Sequence, residues 1–172
     1  MSSDNIGFAN VTMSSEKFIC IRENKHSAKS SLKIIDLRKG IEVSEKPMTA
    51  DSAIMNPKKP HLALRGKKYS CPKLSTFLAQ NTIQVFNIDS KIKIASLQVG
   101  FEIIFWNWVD DKTLLLASDG TIYRWDYETL DSIPIKWFEK SPALSDCQII
   151  NAEIDLSGLW CFISGISLKV IL

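Results

Sequence analysis

Glu102-Ile-Ile-Phe-Trp-Asn-Trp-Val109, Asp110-Asp-Lys112, Thr113-Leu-Leu-Leu-Ala117, Ser118-Asp-Gly120 and Thr121-Ile-Tyr-Arg-Trp-Asp126 follow one another without a break. The three apolar runs are of strand length and too short for helices. Asp-containing turns separate them, and Asp119-Gly120 is a tight-hairpin signature. Ile133-Pro-Ile-Lys-Trp-Phe138 begins a fourth run. Three or four strands joined in sequence by short turns form a β-meander, the local pattern of a propeller blade. Consecutive hairpins of a sandwich give the same local pattern.

The same reading extends outward. Lys17-Phe-Ile-Cys-Ile-Arg22 and Leu32-Lys-Ile-Ile-Asp-Leu37 flank a polar loop, Glu23 to Ser30, and read as a hairpin. Thr82-Ile-Gln-Val-Phe-Asn-Ile-Asp89 alternates polar and apolar with period two, as a half-buried strand does. Lys91-Ile-Lys-Ile-Ala-Ser-Leu97 follows a turn at Asp89-Ser90, with lysines expected on a wet face and isoleucines on the other. A unit of strand, Asp-containing turn and strand recurs from Ala53, Trp106 and Ile150, at intervals of 53 and 44 residues. Blade repeats run about 40–50 residues. The longer interval holds an extra stretch, Lys67-Lys-Tyr-Ser-Cys-Pro-Lys-Leu-Ser-Thr-Phe-Leu-Ala79, which does not alternate and is broken by Pro72. It reads as a surface loop inserted into a hairpin, with retained non-coding sequence as the alternative.

Composition narrows the functional classes. The chain has 172 residues, of which 45% are hydrophobic, enough for one domain with a core. Twenty-one basic against 19 acidic residues leave a net charge of +2, too weak to argue for nucleic acid or a charged membrane surface. The start, Met1-Ser-Ser-Asp-Asn5, lacks the basic-then-apolar order of a secretory signal, so a cytoplasmic protein is expected. Cys20, Cys71, Cys147 and Cys161 are widely spaced; Cys20 and Cys161 sit in strand patterns as small core residues.

Catalytic and metal chemistry find no footing in this sequence. His26 and His61 have no partner at ligand spacing. No nucleophile elbow, Gly-rich phosphate loop or dinucleotide fingerprint is present. Asp110-Asp111 is an acidic pair in a hairpin turn, where turn geometry explains it. Trp106, Trp108, Trp125, Trp137 and Trp160 lie in or beside strands away from clustered basic residues and are expected to pack core and neighbouring blades. No enzyme and no cofactor is expected.

Several blocks in order carry a family resemblance: Ile6-Gly-Phe8, Phe18-Ile-Cys-Ile-Arg-Glu23, Ile34-Ile-Asp36, Ala50-Asp-Ser-Ala-Ile-Met-Asn-Pro57, Ile83-Gln-Val-Phe-Asn-Ile88, Phe105-Trp-Asn-Trp108, Pro134-Ile-Lys136 and Cys147-Gln-Ile-Ile-Asn151. Together they resemble the amino-terminal β-propeller domain of clathrin heavy chains. The resemblance implies an all-β fold, a partial β-propeller of about three four-stranded blades from a seven-bladed architecture. It spans residues 1–167, with the insert at 67–79 and an unrelated tail at 168–172.

The resemblance also implies a function. The family domain binds clathrin-box peptides of endocytic adaptors, which alternate bulky aliphatic residues and end in an acidic one. They lie extended in a groove between the first two blades. Position by position, the groove residues carry over to Thr82, Gln84 and Phe86 on one strand, Lys91 and Lys93 on the next, Lys46 and Met48 on the facing segment, and Leu62. The residue types suit the task. Thr82, Gln84 and Phe86 share one strand face. Gln84 can donate to and accept from an extended backbone. Phe86, Met48 and Leu62 form apolar walls, and Lys91 and Lys93 attract peptide carboxylates.

The implied role is a clathrin heavy-chain-like component of coated pits and vesicles, with adaptors as partners and neither nucleic acid nor membrane insertion. The alternative is a shortened paralogue or partial gene model without binding of its own. The insert is placed to cover the groove or to shift the hairpin register. The last blade is expected to leave a bare face near Trp160, Phe162 and Ile163. Exposed apolar surface with open strand edges favours association. Sedimentation of the purified chain is expected to show oligomers; a monodisperse monomer unfolding cooperatively at high temperature would contradict that expectation.

Overall fold

The computed structural model describes residues 11–23, 30–68, 80–142, 145–155 and 157–167. Tyr69 to Ala79, most of the expected insert, and the expected tail at 168–172 lie outside them, as does Cys71. The described chain is all-β apart from short 3₁₀ turns. It divides into two compact units, Met1–Gln98 and Val99–Leu172.

The first unit contains two four-stranded sheets, each a meander in chain order. The first sheet is β1 (Val11–Thr12), β2 (Phe18–Glu23), β3 (Ser31–Asp36) and β4 (Glu42–Pro47). The second is β5 (Ser52–Met55), β6 (His61–Lys68), β7 (Gln80–Asn87) and β8 (Ile92–Val99). The expected hairpin is β2–β3, paired from Phe18↔Asp36 to Glu23↔Ser31. β4 was not legible as a strand: every residue of Glu42-Val-Ser-Glu-Lys-Pro47 is exposed. It pairs with β3 from Asp36↔Glu42 to Ser31↔Pro47 and forms a charged edge of the kind that discourages further pairing.

Residues directly opposite in a ladder share a face, which identifies the surfaces that meet. Phe18 and Cys20 on β2 lie on one face with Leu32 and Ile34 on β3. Ala53 and Met55 on β5 lie on one face with Leu62 and Leu64 on β6. These two sets form one buried cluster with Met48. Burial pushes the Cys20 thiol up to about 12, as expected of a core cysteine.

The turn from β5 to β6 is built by Asn56, which is fully buried. Its Oδ1 accepts from the Lys58 and Lys59 backbone N–H groups at 3.0 and 2.8 Å. The Glu16 N–H donates to the Pro57 carbonyl at 3.0 Å, tying this turn to the first sheet. The block Ala50 to Pro57 is therefore a strand and turn at the centre of the unit.

The second unit holds the meander that opened the reading: β9 (Phe105–Trp108), β10 (Thr113–Ala117), β11 (Thr121–Asp126) and β12 (Ile135–Glu139). Asp110 Oδ1 accepts from the N–H groups of Lys112 and Thr113 at 2.8 and 2.7 Å, so Asp110 builds the turn. A hairpin follows, β13 (Cys147–Ile154) with β14 (Cys161–Ser167).

Trp106, Trp108 and Trp125 are buried, as the packing expectation required. Trp160 is not: it is 68% exposed, in the turn leading into β14. Phe162 is 65% exposed, whereas Ile163 packs against the core of the unit, which corrects the expected bare face at that residue. Strand parity gives the reason, because Phe162 and Ile163 are neighbours on β14 and point to opposite faces.

Candidate functional site

The core between the two sheets of the first unit closes over β2, β3, β5 and β6 and opens toward β4 and β7. A cavity of about 490 Å³ occupies the opening. Leu32, Lys46 and Met48 line it from the first sheet and its exit, and Leu62, Gln84 and Phe86 from the second. The turn from Asn87 to Lys91 closes one end.

β7 supplies the floor because of its parity. Ile83 and Val85 are fully buried on one face, so Thr82, Gln84 and Phe86 are presented together on the other. Cross-strand pairing aligns Phe86 with Leu62, Gln84 with Leu64 and Thr82 with Gly66. All six of these residues line the cavity. Leu62 and Met48, each 6% exposed, belong both to its wall and to the core behind it.

The expected insert leaves this register intact. β6 and β7 pair in one unshifted ladder from His61↔Asn87 to Lys68↔Gln80. Lys67 and Lys68, read from sequence as the start of the insert, are the last residues of β6.

Thr82, Gln84, Phe86, Lys91, Lys46, Met48 and Leu62 thus come together at one cavity. Lys93 does not line it. The expectation that Lys91 and Lys93 share a strand face fails on backbone geometry. β8 begins at Ile92, and Lys91 precedes it in the turn with φ +60°, so strand alternation does not run through it. Ile92 and Ile94 are also exposed rather than forming the buried face read from sequence.

Sequence reasoning missed Leu64 and Gly66, which parity from Leu62 along β6 would have found. It also missed Asn87, the last residue of β7, and Ile88 in the turn after it. Asn87 shapes the turn, its Oδ1 accepting from the N–H groups of Asp89 and Ser90 at 2.9 and 3.0 Å. The charged residues of the described lining are two lysines, Lys46 and Lys91, with no carboxylate among them. The described lining thus combines apolar side chains with two cations.

Known proteins match nearly the whole sequence. The clathrin heavy chain of Drosophila melanogaster is 35% identical over 167 residues, 97% of this chain. Clathrin heavy chain 2 of Homo sapiens is 37% identical over 163 residues, 95% of the chain. Clathrin heavy chain 2 of Oryza sativa subsp. japonica is 38% identical over 162 residues, 94% of the chain.

The chain belongs to the clathrin heavy chain family.

It spans about 9% of the length of each of these relatives. No protein-family model matches it. The four-stranded meanders of both units are partial propeller blades of the clathrin type.

The two classes of wall residue separate energetically. Leu62→Ala empties buried volume and is expected to lower unfolding free energy by about 2–5 kcal/mol. Gln84→Ala alters only the groove surface and is expected to stay within about 0.5 kcal/mol of the parent. Urea unfolding followed by tryptophan fluorescence checks both; equal losses would place Gln84 in the core instead.

Proposed function

We propose that this chain is a clathrin-type coat module whose inter-sheet groove binds clathrin-box peptides of endocytic adaptors at the cytoplasmic face of coated pits and vesicles. The observation that carries the reading is the convergence of Gln84, Phe86, Met48 and Leu62 on one groove with Lys46 and Lys91 at its rim. Each element has a task. Gln84 meets the extended peptide backbone with a donor and an acceptor. Phe86, Met48 and Leu62 receive alternate aliphatic side chains, which an extended chain projects to one side at every second residue. Lys46 and Lys91 attract the terminal carboxylates and speed encounter. The role is recognition rather than catalysis, and membership of the clathrin heavy chain family supports a coat component.

The apolar side chains exposed on the second unit, Ile150, Phe162 and Ile166 with Trp160, offer a further contact surface for other clathrin chains.

A fluorescent clathrin-box peptide titrated into the purified chain tests the groove. Saturable binding is expected, weakened about tenfold or more in a Gln84→Ala, Lys91→Glu double variant, the equivalent of about 1.4 kcal/mol or more. Binding that the double variant leaves unchanged would move the site elsewhere. No binding by the folded parent would remove the groove reading.

A further inference from the structure

Arg38 joins the two sheets of the first unit at the end of the groove where the β7–β8 turn lies. It sits in the 3₁₀ turn Leu37–Lys39 between β3 and β4. Its backbone N–H and its Nε both donate to Asp36 Oδ1 at 3.0 Å, and Nη2 donates to Asp36 Oδ2 at 2.8 Å. The other edge of the same guanidinium reaches the second sheet. Nη1 donates to Asp89 Oδ2 at 3.1 Å and Nη2 to Asp89 Oδ1 at 2.9 Å. The guanidinium carbon lies 4.6 Å from the centre of the Phe18 ring, which is fully buried in the core.

Arg38 is thus held on three sides: by a carboxylate of its own sheet, by a carboxylate of the other sheet, and by an aromatic face. The hydrogen bonds it donates to both carboxylates stabilise its charged form and raise its pKa. Asp89 belongs to the turn that Asn87 organises. Lys91, at the rim of the groove, is two residues further along the same turn.

We propose that Arg38 is a positioning residue of the groove: by clamping Asp89 it holds the β7–β8 turn, and Lys91 with it, at one distance from the first sheet. The proposal rests on the peptide-groove reading above. Lys91 carries a positive φ, so its ammonium is placed by the turn rather than by a strand ladder. The Arg38 and Asp89 side chains are partly solvent-exposed, and ion pairs of that kind contribute little to folding stability. What the clamp supplies is preorganisation, a rim cation already set before the peptide arrives. Lysine at position 38 would not reproduce it, because only a planar guanidinium spans two carboxylates bidentately.

Anisotropy titration with an acidic peptide of alternating leucines tests this in the parent chain, Arg38→Gln, Asp89→Asn, Lys91→Ala, the Arg38→Gln, Lys91→Ala double variant, and the exchange Arg38→Asp, Asp89→Arg. Arg38→Gln and Asp89→Asn are each expected to weaken binding about fivefold to tenfold, in the range of ordinary site-to-site coupling. In the Lys91→Ala background Arg38→Gln is expected to add no further loss, and the exchange to recover affinity lost in the single variants. Hydrogen exchange at residues 88–92 is expected to quicken in Arg38→Gln while Ile83 and Val85 stay protected.

Unchanged affinity in Arg38→Gln, with the parent binding normally, would overturn the clamp and leave the groove standing. So would an equal loss with and without Lys91, which is the signature of a merely structural residue. No binding by the parent would remove the groove reading, and the clamp with it.

Discussion

The facing of two apolar sheet surfaces, Phe18, Cys20, Leu32 and Ile34 against Ala53, Met55 and Leu62, is the constraint on which the first unit depends. Twisted sheets cannot stay in contact over their whole width, so packing is close over some strands and relaxes at others. Here contact is closed at β2, β3, β5 and β6. β4, β7 and the β7–β8 turn are left apart, and the gap is the groove. Leu62 and Met48 belong to both regions. The groove is therefore the unfilled margin of the core rather than a feature added to it. Its walls inherit the rigidity of close packing, which limits the entropy lost when an extended chain is bound.

The electrostatics of the groove follow from the same arrangement. The sheet interiors supply apolar walls, and charge enters only where strands end: Lys46 near the end of β4 and Lys91 in the turn before β8. Two cations without a carboxylate in the described lining make a weak but directed field, and directed fields improve specificity and encounter rate more than affinity. Fixing the turn that carries Lys91 then matters more than adding charge, which is how Arg38 and Asp89 take their place in the account.

Much of this was legible in the sequence because the relevant signals are local. Alternation placed Thr82, Gln84 and Phe86 on one face of β7, and the Asp-containing turns marked the meander of the second unit. What was not legible depends on distance or on broken periodicity. Asp89 lies 51 residues from Arg38, and no spacing rule joins them. β4 has no apolar pattern because it is an exposed edge. Lys93 was grouped with Lys91 because alternation was carried through a residue that the backbone places in a turn. Trp160 was read both as a packing residue and as part of a bare last face, and the turn before β14 leaves it exposed.

The measurement that addresses the central claim most directly is backbone amide shift mapping of the isotopically labelled chain titrated with an acidic, leucine-alternating peptide. The account predicts the largest perturbations along Thr82–Phe86, Leu62–Gly66 and Lys46–Ala50, the strands and exit segment that border the inter-sheet gap. Perturbations confined to β13 and β14, with β7 silent, would show that the gap between the first two sheets is not the binding surface.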